Sequence, residues 1–455
     1  MTELRPYQQE IVSGCRDAFR SGLRSALVQL ATGGGKTVLG SFMVQGSSQR
    51  GLTCWWLVHR RELLKQASQT FHGLGIDHGF ISGGCSSDPY NRVQIGSVQT
   101  VARRLATLPE PGMIVFDEAH HLGAAQWQQV YEAFPRAKIV GLTATPWRLD
   151  GKGLGNWFET MIQGPTVADL MQAGSLSKYR LFAPSTPDTS AVATAMGDFK
   201  KNDLASVMDK PSITGDAVQH YTKLAHGRRA VAFACSIEHS RNVVAQFRAA
   251  GIPAEHVDGQ MDHGERDAAV ARFTAGETLI LSNADLLGEG FDVPAIEAAI
   301  LLRPTQSLSL HLQQVGRALR PAPGKFEALI LDHAGNSLRH GLPDDDREWS
   351  LADREKRKKA APSEVAVRQC PSCFRVYTPA PKCPGCGRQA EVAAREVEQV
   401  EGQLSEIDVA RVQHQRKMEE RDCRSLEDFQ RLGAARGYKP GWATIRFQAR
   451  QRRAA

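Results

Sequence analysis

Apolar residues fall into short runs separated by amphipathic stretches, and this alternation appears twice along the chain. In the first series, apolar runs that predict buried strands occupy residues 25–30, 52–58, 93–95, 113–116 and 139–142. Residues 4–20, 60–71 and 125–134 instead carry apolar positions three and four apart, which predicts helices. Strands alternating with helices indicate a parallel sheet covered by helices on both faces.

A second series with the same character follows a less regular region. Residues 151–215 contain a glycine-rich stretch and a run of Pro, Ser, Thr and Asp, which indicates a connection and not a core. Apolar runs then resume at residues 230–233, 279–282, 298–302 and 328–331. The pattern therefore predicts two tandem α/β units.

The chain has 455 residues, which is more than one hydrophobic core usually serves. We expect an α/β fold of two tandem parallel-sheet lobes, then a small cysteine-rich ribbon and a helical C-terminal tail. The expected boundaries are 1–165 for lobe 1, 166–215 for a connecting segment, 216–345 for lobe 2, 346–365 for a charged linker, 366–390 for the ribbon and 391–455 for the basic tail.

Composition narrows the class of protein without naming its partner. A 42% hydrophobic content suits buried cores, and a net charge of +7 favours polyanions without identifying one. No apolar run approaches the length of a membrane span, and the N-terminus enters a helical pattern without the apolar region of a signal peptide. We therefore expect a cytoplasmic protein without a membrane partner.

The first chemical motif lies directly after the first predicted strand, at residues 31–37. Backbone amides of Thr32, Gly33, Gly34 and Gly35 can surround phosphates, Lys36 can neutralise the β and γ phosphates of ATP, and Thr37 can ligate Mg²⁺. The strict motif has glycine where Leu30 stands. A chance Gly-Lys-Thr in a surface loop is the alternative, and the preceding strand argues against it.

A pair of carboxylates follows the apolar run 113–116. Asp117 and Glu118 would emerge at the carboxyl edge of the sheet, where Asp117 can hold Mg²⁺ and Glu118 can orient and deprotonate the attacking water. A solvated pair at a strand end is the less favoured alternative. We expect His120 to couple this site to other segments, because no second ligand stands at metal spacing.

The second series supplies the positive charge that phosphoryl transfer requires. Arg317 and Arg320 are three residues apart, so they share a face if the segment is helical. An isolated Arg-x-x-Arg is commonly surface charge, and the interpretation rests on the full string of residues 313–320. Arginines from the second lobe would complete the site only when the lobes close.

Four of the nine cysteines form two Cys-x-x-Cys pairs, Cys370 with Cys373 and Cys383 with Cys386. Four thiolates give a closed tetrahedral Zn²⁺ site with a structural role. Unligated cysteines and an iron–sulfur cluster are the alternatives. In the tail, aromatic and basic residues alternate over residues 437–453, which fits nucleic-acid binding and a packed helix end equally well.

Together these motifs resemble those of superfamily 2 DEAD/DEAH helicases over roughly residues 4–335. The resemblance implies that the two parallel-sheet lobes are RecA-like and that the four-cysteine element is a zinc ribbon. The resemblance implies an adenine-reading element of Arg5, Tyr7 and Gln8, and a nucleotide-facing segment that contains Gly290 and Asp292. It implies contacts with the nucleic-acid backbone by His59, Arg60, Ser97, Thr100, Ser236 and Asn283. It also implies coupling of hydrolysis to strand movement by His120, Thr143, Thr145 and Gln313.

Longer strings, at residues 4–10, 141–148, 302–310 and 313–336, are similar to the RadD-like DNA-repair ATPases of bacteria and phages. The chain has Thr-Ala-Thr and His-Arg-Arg-Glu-Leu where RNA-remodelling members usually have Ser-Ala-Thr and Pro-Thr-Arg-Glu-Leu, which favours DNA. The resemblance implies an ATP-dependent DNA translocase or helicase in repair or recombination, acting on single-stranded or branched DNA. It further implies contacts with single-strand-binding protein or a recombinase.

Three other functions remain open at this level. An RNA helicase would share the motifs and differ in substrate. The motor subunit of a restriction or defence system would share the ATPase core, although no separate nuclease motif stands out near the C-terminus. A non-enzymatic scaffold is disfavoured because the six catalytic side chains are all present: Lys36, Thr37, Asp117, Glu118, Arg317 and Arg320.

Overall fold

The computed structural model of the chain forms two compact units, residues 1–390 and 391–455. It describes residues 3–454 except 84, 86, 87, 89, 149, 150, 184–188, 190, 191, 196, 197, 209, 210, 285–295, 354–366, 391–417, 437, 439 and 440. Within these described residues no helix is both long and apolar enough to cross a membrane.

Lobe 1 is built on a seven-stranded parallel sheet with the order β3-β4-β2-β5-β6-β1-β7. Its strands are β1 (Ser25–Gln29), β2 (Cys54–Val58), β3 (Gly79–Ile81), β4 (Val93–Ser97), β5 (Met113–Asp117), β6 (Lys138–Thr143) and β7 (Thr160–Gln163). Its helices are α1 (Pro6–Arg20), α2 (Lys36–Ser48), α3 (Arg61–Gly73), α4 (Val98–Arg104) and α5 (Ala125–Ala133), with 3₁₀ turns at Leu105–Thr107 and Ala119–Gly123.

The central strands of lobe 1 are buried on both faces, so they read as continuous apolar runs. Trp55 and Trp56 are both fully buried, and they point into different core clusters because successive strand residues face opposite sides of the sheet. A helical layer therefore packs on each face of this sheet.

Lobe 2 repeats the design with a six-stranded parallel sheet in the order β12-β13-β11-β14-β15-β8. Helix α6 (Val167–Gln172) precedes its strands β8 (Lys178–Phe182), β11 (Ala230–Ala234), β12 (Ala254–Val257), β13 (Ile280–Ala284), β14 (Ala298–Leu301) and β15 (Glu327–Asp332). Its helices are α8 (Pro211–Leu224), α9 (Ile237–Ala249), α10 (His263–Ala275), α11 (Leu308–Ala318) and α12 (Asn336–His340).

The predicted connecting segment 166–215 does more than join the lobes. Strand β8 pairs in parallel with β15 and forms the edge of the second sheet. The segment also holds the antiparallel pair β9 (Thr194–Ala195) and β10 (Asp198–Phe199), and α7 (Lys201–Met208). Asp198 accepts hydrogen bonds from the Thr305 hydroxyl at 2.9 Å and the Gln306 amide at 2.7 Å, so the segment is anchored to lobe 2.

The cysteine-rich element contains the antiparallel pair β16 (Arg368–Gln369) and β17 (Val376–Tyr377). It lies against the edge strand of lobe 2, where Phe182 forms a β-bridge with Arg375 and the Ala183 amide donates to the Phe374 carbonyl at 3.1 Å. The second unit contains α13 (Leu426–Ala435) and α14 (Gly441–Ala454), which pack through Phe429, Trp442 and Phe447. The predicted fold class is confirmed.

Candidate active site

The phosphate loop connects β1 to the N-terminus of α2. Gly33 and Gly35 have φ values of 86° and 84°, a left-handed conformation that favours glycine. Leu30, which replaces the glycine of the strict motif, is fully buried in the lobe 1 core. A β-carbon at Gly34 would lie 2.8 Å from Leu30 Cγ, so the glycine run accommodates the larger residue without losing the loop.

The predicted adenine-reading residues lie against this loop. Tyr7 donates its hydroxyl hydrogen to the Gly34 carbonyl at 2.8 Å, and Gln8 donates its amide to the Gly35 carbonyl at 3.4 Å. Arg5 donates from Nη1 to the Tyr7 hydroxyl at 3.1 Å. Gln8 is 3% exposed, so in this structure its side chain holds the loop. Its predicted contact with the adenine edge stays a prediction.

The two carboxylates emerge where β5 ends. Asp117 is the last residue of the strand and is buried, while Glu118 has φ 54° and ψ 51°, a left-handed conformation that is unusual for a residue with a side chain. Burial and the adjacent Glu118 carboxylate raise the pKa of Asp117, and the Lys36 ammonium acts in the opposite direction. The backbone at Glu118 is one of the strained positions that cluster at functional sites.

Lys36 brings positive charge to the same place. Its ammonium donates to the Leu30 carbonyl at 3.3 Å. Burial lowers the pKa of Lys36, whereas Glu118 and Asp117 raise it. A half-buried ammonium near two carboxylates suits a ligand that is itself charged. The donor set fits Mg²⁺ and a triphosphate, because Thr37 and Asp117 would hold the metal and Lys36 the phosphates.

Lobe 2 contributes its two arginines to this charge cluster. Both Arg317 and Arg320 lower the pKa of Lys36, which places them within electrostatic range of the phosphate loop. Arg317 is buried in α11, but that helix ends at Ala318, so Arg320 lies beyond it. Arg317 therefore lies on the last turn of α11, and Arg320 follows its C-cap.

A glycine of lobe 2 allows the two lobes to approach. A β-carbon at Gly316 would lie 2.6 Å from Thr32 Cβ, too close for any side chain. On the opposite side of the contact, a β-carbon at Gly33 would lie 3.6 Å from Arg320 Cγ. The segment with the arginines thus packs directly on the phosphate loop.

A line of polar contacts leads away from Glu118 through the predicted coupling residues. His120 Nδ1 lies 3.4 Å from Glu118 Oε2 and 3.2 Å from Thr143 Oγ1. The Thr143 hydroxyl donates to the Thr145 carbonyl at 2.8 Å. Thr145 then donates its hydroxyl hydrogen to Ser309 Oγ at 2.7 Å, which carries the line into lobe 2.

Ser309 was missed by the sequence reasoning. It lies in the first turn of α11 and is 8% exposed. Gln313, the predicted coupling residue, is buried four positions later and therefore lies on the same side of the helix. That spacing is the signal that could have identified Ser309 from the sequence.

The four predicted nucleic-acid contacts of lobe 1 gather at one end of its sheet. The His59 ring lies 4.3 Å from that of His121, and the His59 carbonyl accepts a hydrogen bond from Gln99 Nε2 at 3.3 Å. Ser97 donates its hydroxyl hydrogen to Gln99 Oε1 at 2.9 Å and accepts from the Thr100 amide at 3.4 Å. Arg60 follows His59 and is half-buried.

The predicted contacts of lobe 2 have structural partners. Ser236 caps α9 by accepting from the His239 amide at 3.1 Å. Asn283 is 1% exposed and donates its amide to the Ala232 carbonyl at 2.9 Å, so here its side chain holds two strands together. Gly290 and Asp292 lie outside the described residues.

The four predicted metal ligands converge. Their sulfur atoms all lie within 4.8 Å of one another, with Cys370 and Cys386 at 3.5 Å and Cys373 and Cys383 at 3.6 Å. Backbone hydrogen bonds from its turn lower the pKa of Cys370, whereas burial raises the pKa of Cys373 in the same cluster. Four sulfur ligands at this separation fit a tetrahedral Zn²⁺ site.

Two similar turns hold these cysteines. The Phe374 amide donates to the Cys370 carbonyl and the Gly387 amide donates to the Cys383 carbonyl, both at 2.9 Å. Phe374 and Gly387, each directly after the second cysteine of its pair, have φ values of 57° and 74°. Each turn therefore uses one left-handed residue to bring its two sulfurs together.

The fold and the site define a two-lobed P-loop ATPase in which charged residues of both lobes lie near the phosphate loop. Residues 1–148 match the family model described as the type III restriction enzyme res subunit, and residues 213–322 match the helicase conserved C-terminal domain. The chain belongs to the superfamily 2 helicases.

Several relatives and solved structures are similar to this chain. The "51.5 kDa protein" of a Lactococcus phage is 34% identical, over 85% of this chain and 83% of its own length. The putative ATP-dependent helicase IRC3 of Saccharomyces cerevisiae is 28% identical, over 80% of this chain and 57% of its own length. The DNA 3'-5' translocase XPB2 of Sulfurisphaera tokodaii is 24% identical, over 72% of this chain and 81% of its own length. This chain therefore spans little more than half of the yeast relative.

Among solved structures, two restriction enzymes share the fold. The type ISP restriction-modification enzyme LlaBIII bound to DNA matches with a TM-score of 0.55 and 19% identity, over 72% of this chain and 27% of that one. A fragment of a putative HsdR subunit of a type I restriction enzyme from Vibrio vulnificus matches with a TM-score of 0.58 and 22% identity. The match covers 75% of this chain and 66% of that one. Similarity to RadD-like ATPases in particular stays a prediction.

Proposed function

We propose that this superfamily 2 protein is an ATP-dependent DNA translocase or helicase that acts in DNA repair or recombination. The observation that carries the proposal is the composite site, in which Lys36 and the two carboxylates of lobe 1 lie within electrostatic range of Arg317 and Arg320 of lobe 2. Hydrolysis at such an interface can be linked to opening and closing of the lobes.

Each residue has a defined task in this mechanism. Lys36 neutralises the β and γ phosphates, and Glu118 orients and deprotonates the attacking water. Arg317 and Arg320 stabilise the charge that develops as the γ-phosphoryl group leaves. Thr37 and Asp117 would hold Mg²⁺, which supplies further charge neutralisation when bound.

The polar line from Glu118 to Ser309 supports coupling between hydrolysis and lobe movement. A change in charge at Glu118 is felt at His120, which contacts the hydroxyl of Thr143. Thr145 continues that contact into α11, the helix that carries Arg317. A change at the ATP site can therefore reach lobe 2 in two ways, by this line of hydrogen bonds and by direct contact of Arg317 and Arg320 with the phosphate.

DNA is favoured over RNA as the substrate by two observations. The Thr-Ala-Thr and His-Arg-Arg-Glu-Leu segments depart from the usual pattern of RNA-remodelling members. One relative is named as a DNA translocase, and one structural neighbour was solved bound to DNA. Binding through the phosphate backbone would give little sequence preference. The resemblance to RadD-like DNA-repair ATPases suggests protein partners as well, namely single-strand-binding protein or a recombinase.

The deciding experiment measures ATP hydrolysis by the wild type and Lys36→Ala, alone and with single-stranded, duplex or forked DNA or RNA. We expect stimulation by DNA that Lys36→Ala abolishes. Stimulation by RNA alone would contradict the DNA assignment and identify an RNA helicase. Absence of hydrolysis with every nucleic acid would contradict the motor function and favour a scaffold.

A second candidate is the motor subunit of a restriction or defence system. It is favoured by the match of residues 1–148 to a restriction-enzyme subunit model and by the two restriction enzymes that share the fold. A DNA-cleavage assay with a companion nuclease added would distinguish the two, because a restriction motor stimulates cleavage by that nuclease, whereas a repair translocase leaves the cleavage rate unchanged.

A further inference from the structure

A segment that follows lobe 2 returns to lobe 1. We name residues 341–353 the strap. At its start it is fixed to lobe 2, since Leu342 is buried in the lobe 2 core and the Tyr179 hydroxyl donates to the Asp344 carboxylate. Arg347 donates to the carbonyls of Leu342 and His340, at 2.6 and 3.2 Å, and stiffens the turn.

The end of the strap is fixed to lobe 1. The Trp349 ring lies 4.9 Å from that of Trp147, whose indole nitrogen donates to the Ala352 carbonyl at 3.2 Å. The Leu351 carbonyl accepts from the Gly155 amide at 2.9 Å, and its side chain packs against the lobe 1 core. The two attachments make the strap a second connection between the lobes, besides the chain that runs from β7 to β8.

The strap packs closely against Trp147, Gly153 and Gly155 of lobe 1, which we name its landing site. The Gly153 amide donates to the Asp353 carboxylate at 2.9 Å. A β-carbon on Gly153 would overlap the Leu351 carbonyl, so only glycine permits this approach of two backbones. The contact combines ring packing, backbone hydrogen bonds and a partly buried leucine, Leu351, so several kinds of interaction hold the strap on lobe 1.

The landing site adjoins the coupling residues. Trp147 lies two residues after Thr145, which bonds to lobe 2 through Ser309. A β-carbon on Gly123, at the end of the 3₁₀ turn that contains His120, would overlap the Arg148 guanidinium. Strap residues Arg347 and Trp349 also line a cavity together with Thr32 and Gly316, at the contact between phosphate loop and lobe 2.

We propose that the strap is an interlobe tether, with Trp349 as a positioning residue, that limits lobe opening and holds the segment around Thr145 against lobe 2. A second link between two modules raises the effective concentration of one at the other. The tether would thus increase the affinity for ATP in the absence of nucleic acid, because less of the protein occupies the open state.

The test compares three variants in the full chain: Trp349→Ala, Trp349→Phe, and a strap lengthened by six Gly and Ser residues between Arg347 and Glu348. Phe326→Ala is the control, since that aromatic side chain is 93% exposed on lobe 2 and outside the strap. The measurements are KM and kcat for ATP without nucleic acid, and energy transfer between dyes on non-natural amino acids at Tyr90 in lobe 1 and Glu277 in lobe 2.

We expect Trp349→Ala and the lengthened strap each to raise KM for ATP roughly fivefold, which is the scale of one aromatic contact. The effect on kcat should be smaller. The distance between the two dyes should increase, because the lobes open further. Trp349→Phe and Phe326→Ala should remain near the wild type. Unchanged KM and dye distance in the lengthened strap would overturn the tether even if Trp349→Ala misfolds, because lengthening removes no side chain. The dyes report lobe opening with a non-hydrolysable ATP analogue, so this test is independent of whether the proposed DNA-dependent motor is correct.

Discussion

At the residue scale, the backbone of Glu118 concentrates the strain of the site. Its left-handed conformation directs the carboxylate away from the continuation of β5 and places it 3.4 Å from His120 Nδ1. Such strain persists where surrounding structure fixes it, and here Asp117 accepts a hydrogen bond from the Glu118 amide at 3.1 Å. This arrangement is compatible with the water-activating role that we propose for Glu118.

Replacing that carboxylate should separate binding from hydrolysis. We predict that Glu118→Gln binds ATP with near-normal affinity and hydrolyses it about 100-fold or more slowly, the usual contribution of a general base. Equilibrium binding of a fluorescent ATP analogue and single-turnover hydrolysis measure the two steps. Normal turnover in this variant would remove Glu118 from the mechanism.

The hydroxyl pair between Thr145 and Ser309 offers a test of coupling at the same scale. We predict that Thr145→Val and Ser309→Ala each reduce nucleic-acid-stimulated hydrolysis, and that the double variant is no worse than either alone. The interaction energy in this cycle should be about 1 kcal/mol, since one hydrogen bond is shared. Strictly additive losses would show that the two hydroxyls act independently.

At the scale of elements, buried strands were predictable and edge strands were not. The predicted runs 25–30 and 113–116 correspond to β1 and β5, whose residues are buried on both faces. By contrast β3, β7 and β8 lie at sheet edges, and β7 and β8 are partly exposed, so their sequences lack a continuous apolar run. Their membership in a sheet depends on the neighbouring strand.

The cysteine-rich element should depend on its metal. We predict about one zinc per purified chain, and loss of that zinc with a lower melting temperature in Cys370→Ser, because the ribbon covers the β8 edge and structural zinc contributes folding energy. Cys85→Ser is the matched control outside the cluster. A metal-free protein with an unchanged melting temperature would contradict the zinc assignment.

At the scale of the whole molecule, ion pairs of unequal burial join α3 of lobe 1 to α10 of lobe 2. Arg266 lies 3.0 Å from Glu62 with both side chains largely buried, whereas Lys65 and Asp267, 3.6 Å apart, are more than half exposed. Buried pairs resist disruption, while exposed pairs contribute little. Of these two ion pairs, the first should therefore contribute more to the contact between the lobes.

This difference predicts unequal effects on lobe closure. Glu62→Gln should leave the Arg266 charge without its carboxylate partner and shift the lobes towards the open state, which would weaken ATP binding. Lys65→Ala should change ATP affinity by less than twofold, as expected for an exposed pair. Affinity for a non-hydrolysable analogue measures both variants. Equal effects would mean that the buried pair has no special role.

The sequence by itself determined the two α/β units, the order of their motifs and the identity of the charged groups, because buried parallel strands and phosphate loops carry their pattern within a few neighbouring residues. The convergence of four cysteines was also predictable, since each pair lies within one tight turn. Only the tertiary structure decided which side chains of lobe 1 contact which side chains of lobe 2. Ser309, Arg266 and Trp349 have contacts over long sequence separations, and those contacts depend on how the two sheets pack against each other, which no local pattern encodes.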